Sequence, residues 1–215
     1  MSERNDRFFE HLSHLDAGAL ARLRRGLAFE PPGSYAPAFR YIEPFTGNAG
    51  SSQRIAMYLV AGLYALQARS QRAGGDSSSF SGDDDTVATD RGAGIAYTER
   101  APKAPDAASP RRSNNLGASL GALWRSREAS LKGSGQSIER RFSSLLDADE
   151  GQLSHRLRQI VTLLLSEGTA RIHWPQLLND LTYWNSRERY VQQRWARAFY
   201  APTPSSRDTN GKVDA

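Results

Sequence analysis

The feature of this sequence that most restricts its fold is the helical spacing of its large apolar side chains. These side chains recur every three or four positions in two stretches, residues 8–66 and residues 116–200. That interval places them on one face of an α-helix, whereas the alternation typical of half-buried strands is nearly absent. The sequence therefore predicts an all-α fold.

The two helical stretches are separated by a segment of different composition. It contains runs of serine and aspartate and three prolines but few large apolar side chains. Such a segment buries too little apolar surface to offset the entropy of ordering. We therefore predict two helical-bundle lobes joined by a long disordered linker, with a single bundle interrupted by an insertion as the alternative. The predicted organisation is an N-terminal lobe over 1–72, an acidic linker or insertion over 73–115, a C-terminal bundle over 116–200 and a disordered tail over 201–215.

Local signals indicate where several helices begin and end. Asp16 is suited to cap the second helix, and the segment Glu30 to Gly33 is predicted to end it. Residues 44–52 are predicted as a loop before a long helix. Gly168 is placed to end a later helix, and Pro175 is tolerated in the first turn of the next one.

The positive charge lies in the two helical stretches. The formal charge of +5 divides into +3 over residues 1–72, −4 over residues 73–110, +6 over residues 111–200 and zero over the tail. Of the 28 basic residues only three are lysine, and the planar guanidinium of arginine suits phosphate. This pattern indicates a polyanionic partner, although a GC-rich genome would produce the same arginine bias without any function.

No catalytic constellation is evident in the sequence. There is no cysteine, no phosphate-binding glycine loop after a strand and no nucleophile elbow. His11 and His14 lie three positions apart but lack a third ligand at a recognisable spacing, so surface or capping roles are expected for the histidines. We expect no catalytic residue, no cofactor and no metal site. Core packing is expected, with base stacking as the alternative, for Trp174, Trp184 and Trp195.

No targeting or membrane segment is evident either. Residues 1–7 are polar and charged, and no stretch approaches the roughly 18 apolar residues that a spanning helix needs. Together with the absence of cysteine, these observations predict a soluble cytoplasmic protein.

Several arginines flank or oppose the apolar stripes of their predicted helices. Arg141 lies at the edge of one stripe and Arg140 lies nearly opposite it. Arginines in such positions keep their guanidinium groups free for phosphate, although a solvated helix face explains each one singly. The candidate nucleic-acid-binding residues are Arg24, Arg25, Arg54, Lys132, Arg140, Arg141, Arg156 and Arg158.

Five strings carry a resemblance to a known family. The last of them, with its tryptophan and arginine pattern, is the most specific. The strings are Ala38-Phe39-Arg40-Tyr41-Ile42-Glu43-Pro44-Phe45, Ser119-Leu120-Gly121, residues 138–146 (IERRFSSLL), residues 172–184 (IHWPQLLNDLTYW) and residues 191–200 (VQQRWARAFY). Together they resemble the CasB family, the small subunit of the type I-E CRISPR surveillance complex called Cascade.

The resemblance implies a non-catalytic, two-lobed helical subunit that stabilises an R-loop. It implies contacts with crRNA and both strands of target DNA, with the repeated backbone subunit and the large subunit of Cascade, and with a second copy of itself. Family basic positions carry over onto Arg25, Arg141 and Arg158 and, where the alignment is ambiguous, onto Arg54. Other family basic positions fall on Asp147 and Glu150, and the family joins its lobes by a much shorter segment.

Two other functions remain open from the sequence. A protein-interaction subunit would pair its arginines with acidic partner surfaces instead of phosphates. A nuclease would need a cluster of carboxylates or histidines, which the sequence does not show at a recognisable spacing.

Overall fold

The computed structural model of this chain describes residues 3–75, 115–130, 133, 135–168 and 172–202, without the side chains of residues 72–75. Most of the predicted linker, nearly all of the predicted tail and Lys132 lie outside the described residues, so the predictions for them stay predictions.

The predicted all-α fold is confirmed. The described residues contain nine α-helices, one short 3-10 helix over Ala36–Ala38 and no strand. The helices are α1 (Glu3–Ser13), α2 (Ala17–Gly26), α3 (Phe39–Thr46), α4 (Ser51–Gly75), α5 (Leu116–Ser130), α6 (Gln136–Leu146), α7 (Glu150–Ser166), α8 (Trp174–Thr182) and α9 (Tyr190–Phe199).

Side-chain caps begin at least four of these helices, because the first backbone N–H groups of a helix lack partners within it. Asn115 Oδ1 caps α5 by accepting from the Ala118 N–H at 3.0 Å. The predicted cap of α2 is confirmed, since Asp16 Oδ1 accepts from the Ala19 N–H at 2.6 Å. Asp149 does the same for α7, and Nδ1 of His173 accepts from the Gln176 N–H at the start of α8. Gly168 follows the end of α7 with a φ of 65°, a left-handed conformation that favours glycine.

Two predicted boundaries are wrong. Helix α2 ends at Gly26, four residues before the predicted stop at Glu30. Residues 44–46 belong to α3, although they are predicted as loop. Pro44 removes one backbone hydrogen bond there, and the burial of Tyr41 and Ile42 in the core retains the helix around it.

Helix α4 is the central element of the packing. It contacts α2 and α3 from the first stretch and α7 and α8 from the second. At Gly62 a Cβ would lie 2.6 Å from the Leu27 side chain, so glycine allows α2 to approach closely. The indole of Trp174 donates to Gln67 at 2.6 Å and joins α8 to α4. Buried residues from both stretches therefore form one hydrophobic cluster.

Helix α9 packs on α5 at unusually short range. A Cβ at Gly117 would lie 2.2 Å from the backbone oxygen of Trp195, and one at Gly121 would lie 2.4 Å from that of Phe199. The ring of Phe199 also stacks on Phe142 of α6, with centroids 4.2 Å apart. These contacts hold α5, α6 and α9 together.

The tryptophans pack in the core, as predicted. Trp174, Trp184 and Trp195 are all less than a tenth exposed. The carboxylate of Asp180, which is fully buried, accepts from the Trp195 indole at 2.6 Å and from the Gln176 amide at 2.7 Å, and it pairs with the Arg194 guanidinium. This network satisfies a charge that would otherwise be costly to bury.

Candidate nucleic-acid interface

Four of the predicted arginines lie on α6 and α7, which pack against each other. Arg140, Arg141 and Arg158 are exposed and Arg156 is half-buried. None of the four forms an ion pair with a residue that the structure describes. Their guanidinium groups are therefore available to an external anion.

The four arginines lie on either side of the connection between α6 and α7, residues 147–149. At about 1.5 Å per residue, the arginines of α6 lie about 8 to 9 Å along their helix from its end. Those of α7 lie about 9 to 12 Å along theirs from its start. All four cationic side chains therefore lie within about 12 Å of the connection, measured along their helix axes.

A second group of arginines lies where α2 meets α4. Partial burial lowers the pKa of Arg24, and the positive charges of Arg69 and Arg25 lower it further. Within the described part of the chain, none of the three has a carboxylate within ion-pair distance. Three cations without a neutralising partner form a site that attracts anions. Arg69 was not predicted, because nothing in the spacing of α4 reveals which part of α2 it meets.

Arg54 differs from the other candidates that the structure describes because it already has an ion-pair partner. Its guanidinium pairs with Glu43 at 2.7 Å, and the same carboxylate accepts hydrogen bonds from the hydroxyls of Tyr58 and Thr46. A phosphate at Arg54 would have to compete with Glu43.

Other arginines hold the fold together. Arg125 donates to the carbonyl oxygens of Phe199 and Ala201 at 3.0 and 2.9 Å, and Arg127 pairs with Glu167. The arginine content therefore divides into groups bound within the fold and groups whose charge is left for a partner.

The described ranges contain neither a candidate metal cluster nor a candidate membrane-spanning helix. No three histidine, aspartate or glutamate side chains gather there in a way that could hold a metal ion. None of the helices in those ranges combines the length and hydrophobicity that crossing a membrane requires.

The helices and the unpaired arginines define a class of small all-helical proteins with a basic surface. Residues 19–200 match the family model of CRISPR-associated protein Cse2. The chain is 34% identical over 218 residues to a CRISPR-associated protein Cse2 of Thermus thermophilus, with 98% of each protein covered. This chain belongs to the Cse2 family, which confirms the resemblance to CasB.

Solved structures agree with this assignment. The crystal structure of CasB from M. ruber is 34% identical and has a TM-score of 0.63, covering 93% of this chain and 94% of that one. A Cse2-family protein from Thermus thermophilus is 32% identical with a TM-score of 0.60, over 94% of this chain and all of that one. A chain of a CRISPR RNA-guided surveillance complex, 22% identical, shares the fold with a TM-score of 0.61 over 92% of this chain and 91% of its own.

Proposed function

We propose that this protein is the non-catalytic small subunit of a type I-E CRISPR surveillance complex, Cascade, in the cytoplasm. In this role it binds the backbones of the crRNA–target hybrid and the displaced strand and stabilises the R-loop. The repeated backbone subunit, the large subunit and a second copy of this chain are its protein partners. Family membership and the shared fold of a surveillance-complex chain support the assembly role.

The observation that carries the nucleic-acid role is the set of arginines on α6 and α7 without ion-pair partners among the described residues. A guanidinium donates paired hydrogen bonds to phosphate, and every nucleotide offers the same phosphate. Binding should therefore be independent of sequence and should weaken steeply with salt, because each neutralised phosphate releases counterions.

The test is fluorescence anisotropy of labelled single-stranded and duplex DNA with the full chain across a salt series. The variants are Arg141→Gln, Arg158→Gln and the double variant. Arg7→Gln is the matched control, since Arg7 is also exposed, on α1, but pairs with Glu3. Each lost phosphate contact should make the plot of log affinity against log salt concentration shallower, reducing the magnitude of its negative slope by about 0.7 to 0.9.

The outcomes separate the possible functions. Unchanged slopes in folded variants would remove Arg141 and Arg158 from the interface. No binding at low salt would favour a protein-interaction subunit without direct nucleic-acid contact. Cleavage of the labelled DNA in the presence of magnesium, seen on a gel, would contradict the non-catalytic role.

A further inference from the structure

Two exposed tyrosines lie at the connection between α8 and α9. Tyr183 is 51% exposed and Tyr190 is 39% exposed, with ring centroids 6.3 Å apart. The other large apolar side chains exposed in the described residues each pack on a less exposed ring, Phe29 on the half-buried Tyr35 and Tyr200 on the buried Phe199, whereas Tyr183 and Tyr190 are both exposed. Packing of the fold therefore accounts less well for this pair than for those two.

The connection that presents the pair is anchored from inside. Trp184, which follows Tyr183 in the sequence, is buried. Its backbone carbonyl oxygen accepts a hydrogen bond from the Gln192 side-chain amide at 2.8 Å. The Arg189 guanidinium donates to the Leu146 carbonyl oxygen, while the backbone of Arg189 has a φ of 48°. A non-glycine residue keeps this left-handed conformation only where its surroundings enforce it. The tyrosines are thus displayed on a rigid frame, which reduces the entropy lost when a ligand binds.

The surroundings of the pair are positively charged. Residues 183–200 contain four arginines and a single carboxylate, that of Glu188. Arg187 and Arg197 are exposed and lack an ion-pair partner in the described part of the chain. Burial raises the pKa of Tyr190, the nearby charge of Arg194 opposes that rise, and the carboxylate of Asp180 adds to it. Because Arg194 pairs with Asp180, the cations that this segment leaves for a ligand are Arg187, between the two tyrosines in the sequence, and Arg197, about two helical turns after Tyr190.

We propose that Tyr183 and Tyr190 form a stacking site for unpaired bases of single-stranded nucleic acid, with Arg187 and Arg197 binding the adjoining phosphates. Aromatic faces beside guanidinium groups are the combination that binds single strands without sequence preference. A duplex keeps its bases stacked on each other, so it offers this site phosphates only. The inference rests on the proposed function and adds the kind of strand that is held.

The test measures binding of four labelled probes of equal length to the full chain by anisotropy. The probes are oligo(dT), oligo(rU), a strand with abasic sites throughout, and a duplex. Tyr183→Leu, which keeps apolar bulk but removes the ring, and Tyr190→Ala should each weaken oligo(dT) binding by about fivefold or more. Binding of the abasic strand and the duplex should not change, and Tyr183→Phe should bind oligo(dT) like the wild type. Oligo(rU) shows whether RNA uses the same site.

Phe29→Ala is the matched control, because Phe29 is 44% exposed and also lies beside a second aromatic ring. Circular dichroism melting verifies that each variant is folded. If Tyr190→Ala is unfolded, the result for Tyr183→Leu alone decides the test. If the tyrosine variants lose as much affinity for the abasic strand as for oligo(dT), the stacking site is overturned. If the wild-type protein binds the abasic strand as tightly as oligo(dT), the stacking site is also overturned, but phosphate binding is not. No binding of any probe would overturn the proposed function as well. Normal oligo(dT) binding by both tyrosine variants would also overturn the stacking site and point to a protein contact.

Discussion

Replacing Gly117 with alanine is expected to destabilise the protein by about 3 kcal/mol. The added Cβ would lie 2.2 Å from the Trp195 backbone oxygen and 2.8 Å from its Cα. Carbon and oxygen normally approach no closer than about 3.3 Å, so α5 and α9 must move about 1 Å apart. A gap of that size loses a quarter to a half of each dispersion contact between them.

The magnitude follows from two opposing effects. Overpacking costs about 1 to 3 kcal/mol where side chains can adjust and more where they cannot. Here the obstacle is the backbone of α9, so we place the cost at about 4 kcal/mol. The higher helix propensity of alanine offsets about 1 kcal/mol of this cost, so the free energy of unfolding falls by about 3 kcal/mol in total. For a chain of this size that loss lowers the melting temperature by about 6 to 12 °C.

The assay is thermal and urea unfolding followed by circular dichroism. Gly151→Ala is the control, because its Cβ would meet only Asp149 Oδ1 at 3.7 Å, an ordinary contact on an exposed part of α7. The control should melt at or slightly above the wild-type temperature. If Gly117→Ala melts as high as Gly151→Ala, the close contact between α5 and α9 does not exist and the reasoning is wrong.

Two further predictions concern the carboxylates. Asp180→Ala should lower the free energy of unfolding by about 3 kcal/mol, because it leaves Arg194 and the Trp195 indole without their acceptor; a loss below about 1 kcal/mol in urea titration would contradict this. Burial raises the pKa of Tyr58 above its usual 10.0, and the hydrogen bond to Glu43 raises it further. The contribution of the protonated tyrosine to the free energy of unfolding is therefore present below pH 10.0 and is lost as the pH rises through the folded-state pKa. Glu43→Gln should lower the pKa of Tyr58 toward 10.0, measured by tyrosinate absorbance, and an unchanged titration would argue against the contact.

Local features of this fold were predictable because they depend on neighbouring residues. The cap at Asp16, the stop at Gly168 and the helical faces that bury the tryptophans all follow from short-range spacing. Pro44 was misleading because burial of its neighbours outweighs the local preference of proline.

The candidate interface was only partly predictable. The exposure of Arg141 and Arg158 follows from the periodicity of their own helices. The pairing of Arg54 with Glu43 and the convergence of Arg69 with Arg24 depend on how separate helices meet. Spacing within one helix carries no information about that meeting, so these features needed the structure.

The central position of α4 has a consequence for the synthesis of this protein. The hydrogen bond from Trp174 to Gln67 joins residues 107 positions apart. At about 5 to 20 residues per second, the ribosome needs about 5 to 20 s after making Gln67 to make its partner. During that interval α7 and α8 cannot yet cover their face of α4, so the apolar side chains of that face lack their native partners until the last third of the chain is made.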